Sequence, residues 1–265
     1  MNTPKVSLIV PVWIKDQEGM DMTIACLDSM EKTNYPNYDI IIVDDCSPFD
    51  GALSQMIARY GGRHKVTKTP HNGGSTFAVN YGLMLTDAPF IQYQNNDTLF
   101  PDPNWLTEQM RMFEDPKVGI VGCLMRYSTG LIQHAGACWR ALDNHSIDHI
   151  GQYQKDVKYF EDVPFVTGCG MTVRREILER NDGGFTVFKG YGWDDIDIEV
   201  KAKQWGYKIK VALKAEFVHL GSVTYRKRPE LLSRETMAEN KKLFDNVPIG
   251  ADEVIGYFME KYYVS

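Results

Sequence analysis

Apolar and polar positions along the first hundred residues switch repeatedly between a two-residue and a helical period. Residues 6–13, Val-Ser-Leu-Ile-Val-Pro-Val-Trp, read as a buried strand, with Pro11 near the end where a missing donor is tolerated. Residues 20–32 carry Ile24, Leu27 and Met30 at helical spacing and stop at Tyr35-Pro36-Asn37-Tyr38. A second strand over 39–43 runs straight into Asp44-Asp45-Cys46-Ser47-Pro48. A short helix over 53–60 ends at Gly61-Gly62, and a weak strand surrounds Val66. Asn72-Gly73-Gly74 then opens a helix with Ser75 as its N-cap, running to about Leu85. The fourth strand is 90–94. Strands alternating with helices at this spacing predict right-handed β-α-β units, a mostly parallel doubly wound sheet and helices on both faces.

The second half is less regular. Residues 102–114 read as a helix capped by Asp102 with Pro103 in its first turn, and 118–123 as a strand. Residues 132–139 have strand character, 143–154 read as loop, and 162–173 return to strand broken by Gly168 and Gly170. A short helix over 174–180 stops at Asn181-Asp182-Gly183-Gly184. The glycine and aromatic stretch 188–193 leads into an acidic helix start, Asp194-Asp195-Ile196-Asp197, in a helix ending at Gly206. Two short strands, 208–213 and 216–219, and two closing helices complete the reading. The expectation is one α/β domain over 1–265, with a nucleotide-binding half (1–100), a metal and acceptor half (101–225) and C-terminal helices (226–265).

Composition adds limits. At 265 residues the chain can bury a large core, and 43% hydrophobic with 24% charged residues is ordinary for a soluble globular protein. A formal charge of −6 argues against a protein that coats nucleic acid, although the basic residues of 201–214 with Arg226-Lys227-Arg228 leave room for a phosphate-bearing ligand. Five widely spaced cysteines with no Cys-x-x-Cys pair fit reduced thiols in a cytoplasmic protein. No apolar run approaches the roughly 18 residues that span a bilayer. The run 6–14 contains Pro11 and lacks a small-residue cleavage site, so it reads as strand rather than signal peptide. The dinucleotide fingerprint is missing after the first strand, where Val12-Trp13-Ile14-Lys15 stands, which disfavours NAD and FAD.

Candidate chemistry gathers where strands end. The apolar run 90–94 breaks into Asn95-Asn96-Asp97, and the carboxyl edge of an open α/β sheet is where such folds bind ligands. A carboxylate flanked by amides there suits a divalent cation and a phosphate; a strand ending in an Asn/Asp turn is the plainer alternative. Asp44-Asp45 can equally be two turn residues, His219 a strand-end histidine, and Asp194 with Asp195 the ordinary acidic first turn of a helix. Trp193 and Tyr191 suit stacking on sugar rings or packing in a core.

Seven marks in order resemble the family 2 glycosyltransferases of the GT-A fold: Ser7-Leu-Ile-Val-Pro11, Val43-Asp-Asp-Cys-Ser47, Asn72-Gly-Gly74 with Asn80, Asn95-Asn-Asp97, Gly168-Cys-Gly170, Asp194-Asp-Ile-Asp197 and His219. The likeness covers roughly residues 5–225, and Asn95-Asn96-Asp97 is similar to the motif of rhamnosyltransferase-type members. The resemblance implies transfer of a sugar from a nucleoside-diphosphate donor, UDP- or dTDP-linked, to an acceptor hydroxyl. The acceptor could be a glycan, a lipid-linked sugar, a protein or a modified nucleobase. It places donor contacts at Pro11, Val12, Asp45, Asn72, Gly73, Asn96 and Asp97, and acceptor contacts at Gly168, Trp193 and Tyr191. It makes Asp97 and His219 ligands of Mn2+ or Mg2+, and Asp195, beside Asp194, the general base of an inverting, hexosyltransferase-type reaction. Substrate phosphates and water would complete the metal's coordination, and asparagine at the other two motif positions lowers the site's negative charge and weakens metal binding. Two other readings stay open. A sugar nucleotidyltransferase would carry a glycine-rich loop with a basic residue after the first strand, and a non-catalytic nucleotide- or carbohydrate-binding relative would have no need of the acidic cluster.

Overall fold

A computed structural model of the chain describes residues 3–140, 146–157, 162–188 and 193–220. β1 (Val6–Val12), β2 (Tyr38–Asp44), β3 (Lys65–Lys68) and β4 (Phe90–Tyr93) run parallel in the order β3-β2-β1-β4. β10 (Met171–Arg174) joins β4 antiparallel and passes the sheet on to β6 (Val118–Arg126). β11 (Lys208–His219) lies parallel to β6, and the two-residue β5 (Thr98–Leu99) closes that edge antiparallel to β11. β7 (Ile132–His134) pairs antiparallel with β6, outside this path. A separate hairpin joins β8 (Ala137–Arg140) to β9 (Ser146–His149). Six of these nine sheet strands share one direction, the mostly parallel α/β sheet that the alternation predicts.

Helices cover both faces, which is why the strands read as continuous apolar runs. Val6, Leu8, Val10 and Val12 of β1 pack with α1 (Gln17–Met30), α2 (Ala52–Tyr60) and α4 (Trp105–Arg111). On the other face Ile9, Ile41, Val43 and Ile91 meet α3 (Ser75–Leu83), α5 (Arg175–Arg180) and α6 (Asp194–Gln204). Pro11 fits this central strand for a positional reason. Ile9 turns its carbonyl to Gln94 beyond β4, so by alternation Pro11 faces the same side, past the last β1–β4 pair at Ile9 and Tyr93.

Several boundaries move. The N-cap of α3 is Gly74 at φ 87°, with Ser75 its first helical residue, because Asp45 fixes the preceding loop through the Gly73 and Gly74 N–H groups. Asp102 accepts from the Asn104 backbone N–H in a local turn, so α4 starts at Trp105 behind Asn104, and residues 112–114 tighten to a 3-10 turn. Asp16, unremarked in the sequence, caps α1 by accepting from Gly19 and starts that helix three residues early. Gly136 at φ 94° splits the 132–139 strand into β7 and β8, and part of the 143–154 loop is β9. The two strands expected over 208–219 are one, β11, with an irregularity between Ala212 and Glu216. The expected C-terminal helices lie outside the described residues. Four of the cysteines, Cys26, Cys46, Cys123 and Cys169, are free thiols.

Gly82 carries the closest crossing of α3 over the sheet. A Cβ there would lie 2.6 Å from Ile9 Cγ2 and 3.0 Å from Val43 Cγ2. A glycine to alanine change inside a helix ordinarily stabilises by about 0.5–1 kcal/mol. Gly82→Ala should reverse that sign and destabilise by roughly 1–3 kcal/mol, because buried branched side chains must shift; the urea unfolding midpoint measures it.

Candidate functional site

The carboxyl ends of β1, β2 and β4 gather most of the predicted residues. Beyond β2, Asp44 Oδ1 accepts from the Ser47 N–H at 2.9 Å and fixes the turn. Asp45 is buried and holds the neighbouring loop: Oδ1 accepts from Thr69 Oγ1 and Gly73 N, each at 3.0 Å, and Oδ2 from Gly74 N at 2.8 Å. Asn72 returns a bond from Nδ2 to the Asp45 carbonyl at 3.0 Å. Gly73 makes room for a neighbouring side chain, since a Cβ there would lie 2.3 Å from the Phe77 ring. Pro11 and Val12 are buried in β1, and the Val12 carbonyl accepts from the Asp45 N–H. Asn80 ties α3 to Phe185 through both its amide atoms.

Asn96 and Asp97 divide in role. The Asn96 amide donates to Thr23 Oγ1 of α1 at 2.8 Å and is buried, which anchors the turn. Asp97 faces the other way. Pairing of Thr98 with His219, together with the Leu220 N–H on the Asp97 carbonyl, sets Asp97 Oδ1 3.2 Å from His219 Nε2. His219 Nδ1 lies 3.1 Å from Gln133 Oε1, an acceptor, which orients the imidazole so that Nε2 faces the carboxylate. Both facing atoms are buried and make no hydrogen bond. Two lone-pair bearers brought together out of water are unfavourable unless a proton or cation stands between them. A carboxylate oxygen and a neutral imidazole fit Mn2+ or Mg2+, whose remaining positions would go to other oxygen donors. Among the described residues no third His, Cys, Asp or Glu completes a metal cluster.

The second acidic centre opens α6. Trp193 is the N-cap at φ 75°, a left-handed conformation costing about 1–3 kcal/mol for a residue with a side chain. Its ring packs with Ala137, Phe165, Ile196 and Val200, so it serves at least partly as core. Asp194 is buried and its Oδ2 accepts from Thr76 Oγ1 of α3 at 3.1 Å. Burial pushes its carboxyl up to about 7, the Asp195 charge adding to the effect. Asp195 is half-buried and turns to the opposite side, with Oδ2 accepting from the Gly168 N–H at 3.0 Å and Oδ1 from its neighbour Ile196 at 2.9 Å. Burial raises its carboxyl too, against the lowering by those N–H groups and by nearby His149. Tyr191 lies outside the described residues.

Residues 168–170 connect the two centres. The Gly170 N–H bonds to the Tyr93 carbonyl at 2.9 Å, and Gln94 Nε2 contacts Cys169 Sγ at 3.8 Å. The thiol of Cys169 is raised first by burial and next by the charge of Asp97. One residue earlier, Gly168 bonds to Asp195. Gly168 also leaves space, since a Cβ there would make only ordinary contacts, 3.6 Å to the Tyr93 ring and 3.7 Å to Asp195 Cβ. By contrast, much of the predicted basic stretch is engaged elsewhere: Lys201 binds Asp197, Lys208 binds Asp115 and Lys203 lies over the Phe165 ring.

Residues 7–181 match the sequence profile of Glycosyl transferase family 2. The chain belongs to that family. The O-antigen biosynthesis protein RfbC of Myxococcus xanthus is 24% identical over 236 residues, which is 84% of this chain and 18% of that protein. The chain thus spans under a fifth of that relative's length. Two solved structures share the GT-A fold. The mannosyltransferase PcManGT of Pyrobaculum calidifontis, in complex with GDP-Man and Mn2+, superimposes with a TM-score of 0.62 at 18% identity, covering 98% of this chain and 76% of that one. TarS 1–349 of S. aureus, in complex with UDP-GlcNAc, gives 0.61 at 19% identity, with 97% and 73% coverage. Among the described residues no helix is long and apolar enough to cross a membrane.

Sequence reasoning passed over Thr76, Gln133, His134, His149 and Glu199. Only Glu199 carried a signal, four residues after Asp195 and so on the same helical face. The raised Asp194 carboxyl has a sign that can be checked. A carboxyl whose folded value lies above its unfolded one stabilises the fold below the unfolded value, and that stability is lost as pH rises through the folded one. Asp194→Asn, which keeps an acceptor for Thr76, should therefore raise Tm by several degrees at pH 8 and change it little near pH 4, as read by calorimetric scans across that range.

Proposed function

We propose that this chain is an inverting, metal-dependent glycosyltransferase of hexosyl type. It would move a sugar from a nucleoside-diphosphate donor to an acceptor hydroxyl. The observation that carries the reading is that one short segment reaches two unlike polar centres, Cys169 contacting Gln94 at the strand end before Asp97 and Gly168 bonded to Asp195. One centre suits a cation and a diphosphate, and the other suits a proton.

Asp97 and His219 would hold Mn2+ or Mg2+, which when bound supplies positive charge to the departing diphosphate. Asp45 stands at the end of β2 with Oδ2 accepting one N–H, which leaves that oxygen room for the imide N–H of a pyrimidine and favours UDP- or dTDP-linked sugars. Asn72 and Gly73 would line the donor through the loop that Asp45 braces. On the acceptor side Gly168 gives room beside Asp195, and Trp193 and Tyr191 would meet the acceptor. Asp195 takes the acceptor's hydroxyl proton as the new C1–O bond forms on the face opposite the leaving group, and the electron pair of the broken C1–O bond departs with the diphosphate. Of the acceptor classes, the O-antigen role in the name of RfbC supports a glycan.

Asp195→Asn should reduce transfer by at least a hundredfold while nucleotide affinity stays within about twofold, as measured by product formation and calorimetry. A variant retaining more than a few per cent of turnover would remove Asp195 as base. Asp97→Ala and His219→Ala should each abolish the gain in nucleotide affinity that Mn2+ gives the wild-type protein. Equal affinities with and without Mn2+ in all three proteins would remove this pair from the metal.

A further inference from the structure

Three consecutive backbone N–H groups ahead of β10 each end on a titratable side chain. Val166 donates to Glu199 Oε1 at 2.6 Å, Thr167 to His134 Nε2 at 3.2 Å, and Gly168 to Asp195 Oδ2 at 3.0 Å. Loop amides more commonly bond to backbone or water. The arrangement also fixes protonation. His134 accepts at Nε2, so its proton sits on Nδ1 and points to His149 Nδ1 at 2.8 Å, which must then be the acceptor. The fully buried His134 is thereby defined as neutral, in one tautomer.

We infer that His134 is a positioning residue for the base: by accepting the Thr167 N–H it holds residues 166–168 in the one conformation that presents Gly168 to Asp195 and leaves the acceptor's space open. Glu199 supports the same segment one residue earlier. This rests on the glycosyl-transfer reading given above. Geometry singles out His134 in a second way. It follows Gln133 on β7, and successive strand side chains point to opposite faces. Gln133 steadies His219 on one side, while His134 steadies the Asp195 side on the other. A three-residue strand thus sets both centres against each other.

The titratable group that faces His134 is His149 of β9, while Glu199 and Asp195 of α6 take the amides on either side of Thr167. Burial, then the neighbouring His149, keeps His134 well below the ordinary histidine range. Its acceptor at Nε2 is therefore intact at neutral pH and lost only as pH falls well below that range.

The test uses the full chain and three variants, His134→Phe, His134→Gln and Glu199→Gln, of which the Gln replacements retain an acceptor. Two readouts are needed: amide exchange of residues 166–168, and Mn2+-dependent release of nucleoside diphosphate from a panel of nucleotide-sugars across pH. We expect His134→Phe to speed exchange of Thr167 and Gly168 at least tenfold and to lower kcat ten- to a hundredfold, with donor affinity unchanged. His134→Gln should recover most of both. Glu199→Gln should stay within about threefold of wild type. A Gln variant no better than Phe, or a Phe variant with unchanged exchange and turnover, would overturn the inference. Should the wild-type chain turn over no nucleotide-sugar, the transfer reading fails, while the exchange of Thr167 and Gly168 still decides whether His134 holds the segment.

Discussion

Asp97 Oδ1 and His219 Nε2 stand 3.2 Å apart out of contact with water, a pair that needs a proton or a cation between its atoms, and several contacts of the surrounding structure keep them there. Left to relax, the side chains would turn apart toward better partners. The fold prevents this from three directions. The short β5 edge pins Thr98 against His219, Leu220 bonds to the Asp97 carbonyl, and Gln133 fixes the imidazole by its other nitrogen. Groups held in an arrangement that is poor by itself mark a place prepared for something else. One carboxylate and one imidazole are donors that would suit a cation whose other positions go to oxygen.

The first hundred residues were legible because their signals are local. Apolar runs at strand length, helical periods between them and Gly or Asn/Asp at each junction specify β1 to β4 almost to the residue. Motif order also named Asp97 and His219 together, and the fold brings their side chains within 3.2 Å although they lie over a hundred residues apart. The errors at helix starts share one cause. Ser75 and Asp102 are good capping residues by type, yet the cap is decided by where a more distant group, such as Asp45, takes the backbone N–H.

The second half was much less legible. His134 and His149 are unremarkable in sequence and meet only because the β8–β9 hairpin pairs Ala137 with His149. The glycine at 136 that lets the chain turn from β7 into β8 reads in sequence as one more small residue in an apolar run. Likewise the basic residues after 200 look like a phosphate patch until their partners, Asp197 and Asp115, are seen on elements far away in sequence or one helical turn back. A charge in sequence has a sign but no partner; the fold supplies the partner.

The acidic start of α6 shows how magnitudes decide between readings. Carboxylates in a first helical turn are common because the helix end favours them, by about 0.3–1 kcal/mol each. Such an effect would lower the carboxyls. Here the largest effect is burial, which outweighs it and lifts Asp194 from 3.8 to about 7 and Asp195 in the same direction. Acids placed only to stabilise a helix would lie in solvent, where the dipole helps and desolvation is absent. These are instead drawn under a strained Trp193 and packed against Thr76 and Gly168, at a cost to the folded state that helix stability cannot explain. What burial does provide is a pair of carboxyls that hold their protons more tightly than exposed ones, Asp194 up to about 7 and Asp195 in the same direction, and such raised carboxyls in a cleft are what a proton-accepting site would use.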